Sequence, residues 1–279
     1  MNPAERARAD RHQREGKGRL RRPETDRPAP CVNSPYPYDQ VLALVDECRP
    51  QEVLEVGAGT GALALALRER GYRVQACDIA PEQCRLPDLE VRQADLNRDP
   101  LPYPEASFDL LTCCEVIEHL ENPHRLMREF NRVLRPGGAA ILTLPNMLNL
   151  EARLKAFFAG VSGFYRDFGE RLGRIRPGEG LGHVNPIPMQ EIFWLGQAYG
   201  LPVATIAADW APPGLRRCAP LGTLLRLLTR LSSARSRARY LLEVANSHPV
   251  LFGRRLVLGL RKSDPPSRVR ILRARRSWA

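Results

Sequence analysis

Glu52-Val-Leu-Glu-Val-Gly-Ala-Gly-Thr-Gly-Ala62 is a short apolar run that ends in glycines at 57, 59 and 61 and passes directly into a helical stretch, 62–70, closed by Gly71. Glycine at alternate positions lets the backbone turn with positive φ, approach a ligand closely and aim amide groups from a helix N-terminus. Taken alone the loop leaves two classes of ligand open. With Ala62 it satisfies the permissive dinucleotide fingerprint GxGxxA, whereas the absence of a following Gly-Lys-Ser/Thr excludes a P-loop.

Outward from the loop the chain alternates strand-like and helix-like stretches. Residues 36–49 carry Val41, Leu42, Leu44 and Val45 on a helical period and stop at Pro50. Strands are predicted at 72–77, ending at Asp78, at 89–93, ending at Ala94-Asp95, and at 108–113. An amphipathic helix over 123–134 places Leu126, Met127, Phe130, Val133 and Leu134 on one side, is stopped by Pro136-Gly-Gly138, and precedes a fifth strand at 139–144. Further strands are predicted at 201–208 and 254–261, with helices at 147–158 and 189–199. This spacing predicts an α/β fold: a doubly wound, seven-stranded, mostly parallel sheet that binds its ligand at the carboxyl ends of the strands.

Composition narrows the class. With 279 residues, 43% of them apolar, a sizeable core is available, and no apolar run approaches the ~20 residues that cross a bilayer. The polar start lacks a signal-peptide core, so a cytoplasmic location is expected. Seven cysteines without a CxxC pair argue against a zinc site or a disulfide framework. The net charge of +11 is uneven: residues 1–30 carry 9 basic and 5 acidic side chains, residues 212–279 carry 16 and 2, and the middle is acidic. Such a tail attracts polyanions, but 39 of the 42 basic residues are arginine in a chain also rich in Ala, Leu, Gly and Pro. That bias is expected from composition alone, so nucleic acid is not favoured as a partner.

The expected organisation is a disordered basic arm at 1–30, one domain over 31–262 with a lid at 146–188 and a basic helical insertion at 209–253, and a basic tail at 263–279. The insertion is far longer than the two to six or so residues that usually join neighbouring elements.

Ordered motifs decide between the ligands. Glu55-Val-Gly-Ala-Gly-Thr-Gly61, Asp78, Ala94-Asp95, Phe108-Asp109, Glu115-Val-Ile-Glu-His119, Arg132-Val-Leu-Arg-Pro-Gly-Gly138 and Leu144-Pro-Asn146 resemble class I S-adenosylmethionine-dependent methyltransferases over about residues 36–210. The resemblance implies a Rossmann-like methyltransferase fold and S-adenosylmethionine as cofactor. It places Glu55, Gly57, Gly59, Gly61, Asp78, Asp95 and Cys114 at the cofactor, with Asp78 on the ribose and Asp95 beside the adenine. Local alternatives are that Gly61 only permits tight helix packing, that Asp95 caps the turn at Leu96, and that Cys114 is core.

Glu115, Glu118 and His119 are spaced i, i+3, i+4, so a helical turn opening at Glu115 would point all three toward the carboxyl edge. The stretch resembles the Glu-x-x-Glu-His of ubiquinone-pathway and small-RNA 2′-O-methyltransferases, which implies a divalent metal such as magnesium, with His183 as a further ligand. His119 and His183 are also the candidate catalytic bases; the alternative is a structural helix-start element. The lid brings Phe157, Phe158, Phe164, Tyr165 and Phe168 to face a substrate or to pack the lid. In the insertion, Leu221, Leu224, Leu225, Leu228 and Leu231 form a helical stripe among arginines, suited either to an anionic membrane surface or to core packing.

The expected activity is therefore methylation of an oxygen on a small molecule or a lipid- or glycan-type intermediate, by an enzyme that is cytoplasmic and in part peripheral to the membrane. The competing classes are a nicotinamide-dependent oxidoreductase, disfavoured by Pro136-Gly-Gly138 and by the lack of a Tyr-x-x-x-Lys pair, and a non-catalytic membrane- or nucleic-acid-binding module with a vestigial cofactor site.

Overall fold

The computed structural model describes residues 38–160, 185–209, 215, 217–263 and 269–272. In chain order the elements are α1 (Tyr38–Cys48), β1 (Glu52–Val56), α2 (Ala62–Glu69), β2 (Arg73–Asp78), β3 (Val91–Gln93), β4 (Phe108–Cys114), α3 (Pro123–Val133), β5 (Leu134–Pro145) and α4 (Leu150–Ala159). There follow α5 (Met189–Ala198), β6 (Val203–Ala208), α6 (Ala219–Leu231), α7 (Ala234–Arg239), α8 (Leu242–Ala245), α9 (His248–Phe252), β7 (Arg255–Arg261) and β8 (Arg270–Ile271).

The strands form one sheet in the order β3-β2-β1-β4-β5-β7-β6-β8. All pair in parallel except β7, which runs antiparallel to both β5 and β6. The expected doubly wound, mostly parallel sheet is present, with eight strands in place of seven. The extra strand is β8, where Thr205 and Ile206 of β6 pair with Arg270 and Ile271. A two-residue edge strand carries no periodicity that a sequence reading can detect.

Successive strand residues face opposite layers, and the helices cover both. On one face Leu54, Leu111 and Leu142 pack with Leu126, Met127 and Phe130 of α3 and with Ile192 and Leu195 of α5. On the other, Val53, Leu110 and Ile141 pack with Val41 and Val45 of α1 and with Leu63 and Leu67 of α2. Helix α3 starts where Pro123 follows Asn122, whose side chain accepts the Arg125 amide. The sheet order reverses between β1 and β4, and parallel sheets bind ligands in the crevice at that point.

Candidate cofactor site

The crevice holds a cavity of about 610 Å³ at the carboxyl ends of β1 to β4. Its floor is the glycine loop. Gly57 and Ala58 donate to the Cys77 carbonyl (2.9 and 3.2 Å), which ties the loop to β2. Gly57, Gly59 and Gly61 have φ of +79°, +52° and +82°, a region that disfavours side chains. A Cβ at Gly57 would lie 2.3 Å from Val116 Cγ2, whereas one at Gly59 would meet nothing within 4 Å and project into open space. Gly61 is the N-cap of α2 and packs near Cys84 and Leu86; it does not line the cavity.

Asp78 ends β2 at the cavity wall. Its Oδ2 accepts the Gly59 amide at 2.8 Å and its Oδ1 accepts the Ala80 amide at 2.9 Å. The carboxylate therefore anchors the glycine loop while each oxygen keeps lone-pair capacity for a ligand hydroxyl. Asp95 also lines the cavity and caps its own turn, accepting the Asn97 amide at Oδ1 (3.0 Å) and the Arg98 and Asp99 amides at its carbonyl. Asn97 holds that wall to the 117–119 turn region by accepting the Glu121 amide at 2.8 Å. Cys114 lines the opposite side, and burial, reinforced by the charges of Glu55 and Glu115, raises its thiol well above the ordinary range.

Glu55 is placed differently from the expectation. It is 4% exposed beneath the loop and bonded to the backbone of Ala64 in the first turn of α2, and it does not line the cavity. Burial, helped by the charge of Asp78, pushes its carboxyl up to about 8. It supports the loop from below.

The Glu115-Val-Ile-Glu-His119 stretch is also corrected. Glu115 has φ +55° and only Ile117–His119 form a helical turn, so the three side chains do not share a helix face. Glu115 Oε2 pairs with Arg255 Nε at 3.0 Å, and its Oε1 accepts the Thr143 hydroxyl at 2.9 Å. Arg255 also meets Asp209 Oδ2 at 3.5 Å, and Asp209 Oδ1 accepts the Arg254 and Arg255 amides. This network fastens the carboxyl edges of β4, β5, β6 and β7 together. Glu118 is buried outside the cavity lining, and burial beside the Glu115 charge pushes it up to about 8. His119 does line the cavity; His183, like Phe164, Tyr165 and Phe168, lies outside the described residues. Among the described residues no three His, Cys, Asp or Glu side chains converge as a metal site. Glu115 is already committed to arginine, so the described residues of the expected set do not fit a magnesium ion.

Lining residues without a motif of their own include Tyr38, Leu96, Val116 and Leu120, together with Ile79, which is 61% exposed beside Asp78. An apolar residue directly after the strand-ending aspartate was a readable signal for Ile79. Nothing local announced Thr143, Asp209 or Arg255, which come from three other strands' ends.

The lining carries Asp78, Asp95 and Glu115 and, among the described residues, no Lys or Arg, in a chain whose net charge is +11. A profile for the family described as "Methyltransferase domain" matches residues 54–142, which run from the glycine loop through β5. The matched stretch, residues 54–142, is a methyltransferase domain. A "Probable S-adenosylmethionine-dependent methyltransferase" of Mycolicibacterium smegmatis is 34% identical over 110 residues, 38% of this chain and 42% of that protein. A ubiquinone biosynthesis O-methyltransferase of Xanthomonas oryzae pv. oryzae is 31% identical over 121 residues, 40% of this chain and 50% of that protein. The chain thus matches half or less of the length of these curated relatives. A crystal structure of a SAM-dependent methyltransferase from Archaeoglobus fulgidus shares the fold, with a TM-score of 0.51 and 16% identity over 81% of this chain and 94% of that one. The M. smegmatis and A. fulgidus proteins are both named as S-adenosylmethionine-dependent.

Proposed function

We propose that the chain is a methyltransferase that binds S-adenosylmethionine in the β1–β4 cavity and methylates an oxygen of a small-molecule acceptor. The observation that carries this reading is the sign of the cavity. Asp95 and Glu115 in the lining pair with Arg98 and Arg255, so the charge it presents is that of Asp78, with no Lys or Arg among the described lining residues, and this favours a cofactor with a sulfonium and an ammonium over one with a pyrophosphate. The same sign disfavours the nicotinamide alternative, and the non-catalytic alternative leaves a formed cavity without a purpose.

The cofactor supplies an activated methyl group and its own leaving group. The chain's part is to hold and orient. Asp78 accepts the ribose hydroxyls, Asp95 lies by the adenine amino group, and Ile79 and Leu96 offer apolar faces to the base. The glycine loop leaves room beside Gly59, and Cys114 and Val116 close the wall nearest the reacting end. His119 lines the cavity and is the described residue suited to take a proton from an acceptor hydroxyl. His183 keeps a base role only as part of the same proposal. O-methylation of a ring or lipid-type hydroxyl is supported by the likeness to the ubiquinone enzyme and by the aromatic residues of the 146–188 segment.

Titration calorimetry with S-adenosylmethionine and with NAD tests the cofactor. Binding of the first alone is expected, and binding of NAD alone refutes the assignment. Methyl transfer from labelled cofactor to a panel of phenolic, polyprenyl-phenol and amine acceptors then tests the reaction. An O-methylated product lost in His119→Ala is expected, and transfer to nitrogen acceptors alone refutes the oxygen specificity.

A further inference from the structure

The stretch between β6 and β7 holds a helix whose apolar residues are divided between two surfaces. Leu221 and Leu225 of α6 pack with Leu150, Leu251 and Phe252, and Gly222 sits so close to the Phe252 ring that a Cβ there would lie 2.5 Å from it. Leu224, Leu227, Leu228 and Leu231 turn the other way and are 49%, 51%, 52% and 74% exposed. Their i, i+3, i+4, i+7 spacing covers an arc of about 100° on the outer side of the helix. Helix α4 also carries exposed aromatic side chains, Phe157 at 81% and Phe158 at 79%.

The charge around the stripe is predominantly positive, Glu243 pairing with Arg237 at 3.2 Å. Residues 210–242 contain seven arginines and no Asp or Glu. Arg217, Arg230, Arg235 and Arg239 are exposed, and α7, which follows α6 after two residues, carries three arginines in six residues. A face of exposed leucines bordered by arginine matches the requirements of a bilayer interface, where apolar side chains enter the acyl boundary and cations meet anionic head groups. A second copy of this chain would bury the leucines equally well, but would set arginine against arginine.

We propose that the outer face of α6 docks the protein on an anionic phospholipid bilayer. Because β7 is antiparallel, the segment leaves the C-terminus of β6 and returns to the N-terminus of β7, both on the carboxyl edge of the sheet. The docking face therefore belongs to the same edge as the cofactor cavity, which favours an acceptor dissolved in the membrane. Vesicle binding itself is independent of methyl transfer, so either can fail and leave the other standing.

The test is co-sedimentation of the full chain with vesicles of mixed phosphatidylglycerol and phosphatidylcholine. Binding is expected, at least about tenfold weaker on pure phosphatidylcholine and weakened again by salt. Leu227→Ser with Leu231→Ser is expected to lower partitioning at least about tenfold while leaving S-adenosylmethionine affinity and the far-ultraviolet circular dichroism unchanged. Arg230→Gln with Arg235→Gln, which touches no packed residue, gives a second measure and is expected to lower it about tenfold. No binding to the mixed vesicles overturns the proposal. So does binding that both variant pairs leave unchanged, and so does a dimer in sedimentation velocity that the leucine pair dissociates while vesicles are ignored.

Discussion

Gly57 and Gly59 have the same backbone sign and opposite surroundings, so one methyl group added at each separates folding from cofactor binding. At Gly57 the new Cβ would lie 2.3 Å from Val116 Cγ2, more than an ångström inside ordinary contact, and φ is already +79°. Val116 is β-branched and stiff at χ1, so it relieves the contact only by shifting into the cavity it lines. Overpacking of this kind costs about 1–3 kcal/mol and the left-handed backbone about 1–2 kcal/mol more for a residue with a Cβ. Gly57→Ala is therefore expected to lose about 3 kcal/mol of stability. At Gly59 nothing lies within 4 Å, so Gly59→Ala carries only the backbone term, about 1 kcal/mol. Its methyl instead enters the space reserved for the cofactor, with an expected affinity loss of at least about tenfold. Urea unfolding of both variants measures the first difference and titration calorimetry with S-adenosylmethionine the second. If Gly59→Ala proves the less stable of the two, or binds the cofactor as well as the parent, the assignment of the cavity to the loop is wrong.

Asp78→Asn retains the shape but replaces one acceptor oxygen with a donor. It should weaken S-adenosylmethionine binding by about 1–3 kcal/mol and lower stability by about 1 kcal/mol through the Gly59 amide; affinity equal to that of the parent sinks the ribose role. Glu55 titrates near 8 when folded and in the ordinary carboxylate range when unfolded. The folded protein thus holds a proton that the unfolded chain releases, a contribution fully present below about pH 4.5 and lost as pH rises through about 8, by at most about 1.4 kcal/mol per pH unit. Glu55→Gln should flatten that decline in melting temperature between about pH 5 and about pH 9, and parallel curves for the two proteins contradict the assignment. Because Arg255 and Thr143 occupy the Glu115 carboxylate, methyl transfer should survive excess chelator, whereas Arg255→Gln should lower stability by about 3 kcal/mol or more by leaving Glu115 and Asp209 buried without their cation. Loss of activity on chelation, restored by magnesium, would return the metal to this site.

What the chain determined by itself is local and periodic. The alternation of strands and amphipathic helices implies a parallel sheet because crossover helices must cover both faces, and the glycines at 57, 59 and 61 announce a close backbone approach wherever they occur. Asp78 and Asp95 were legible because each stands at the end of a predicted strand, and strand ends in such a sheet converge. Tertiary structure decided what depends on partners distant in sequence. Glu115, Glu118 and His119 carry a helical spacing, yet the spacing has no force once Glu115 turns left-handed to meet Thr143 and Arg255, 28 and 140 residues further along the chain. Glu55 belongs to the glycine motif but faces the first turn of α2, a matter of which side of β1 the residue occupies. The leucines of α6 form one continuous apolar stripe by sequence; only the position of Phe252 and Leu150 divides it into a packed side and an exposed one, and brings Leu227 into the exposed set. Periodicity states that a surface is apolar, and only the packing of the remaining chain determines what covers it.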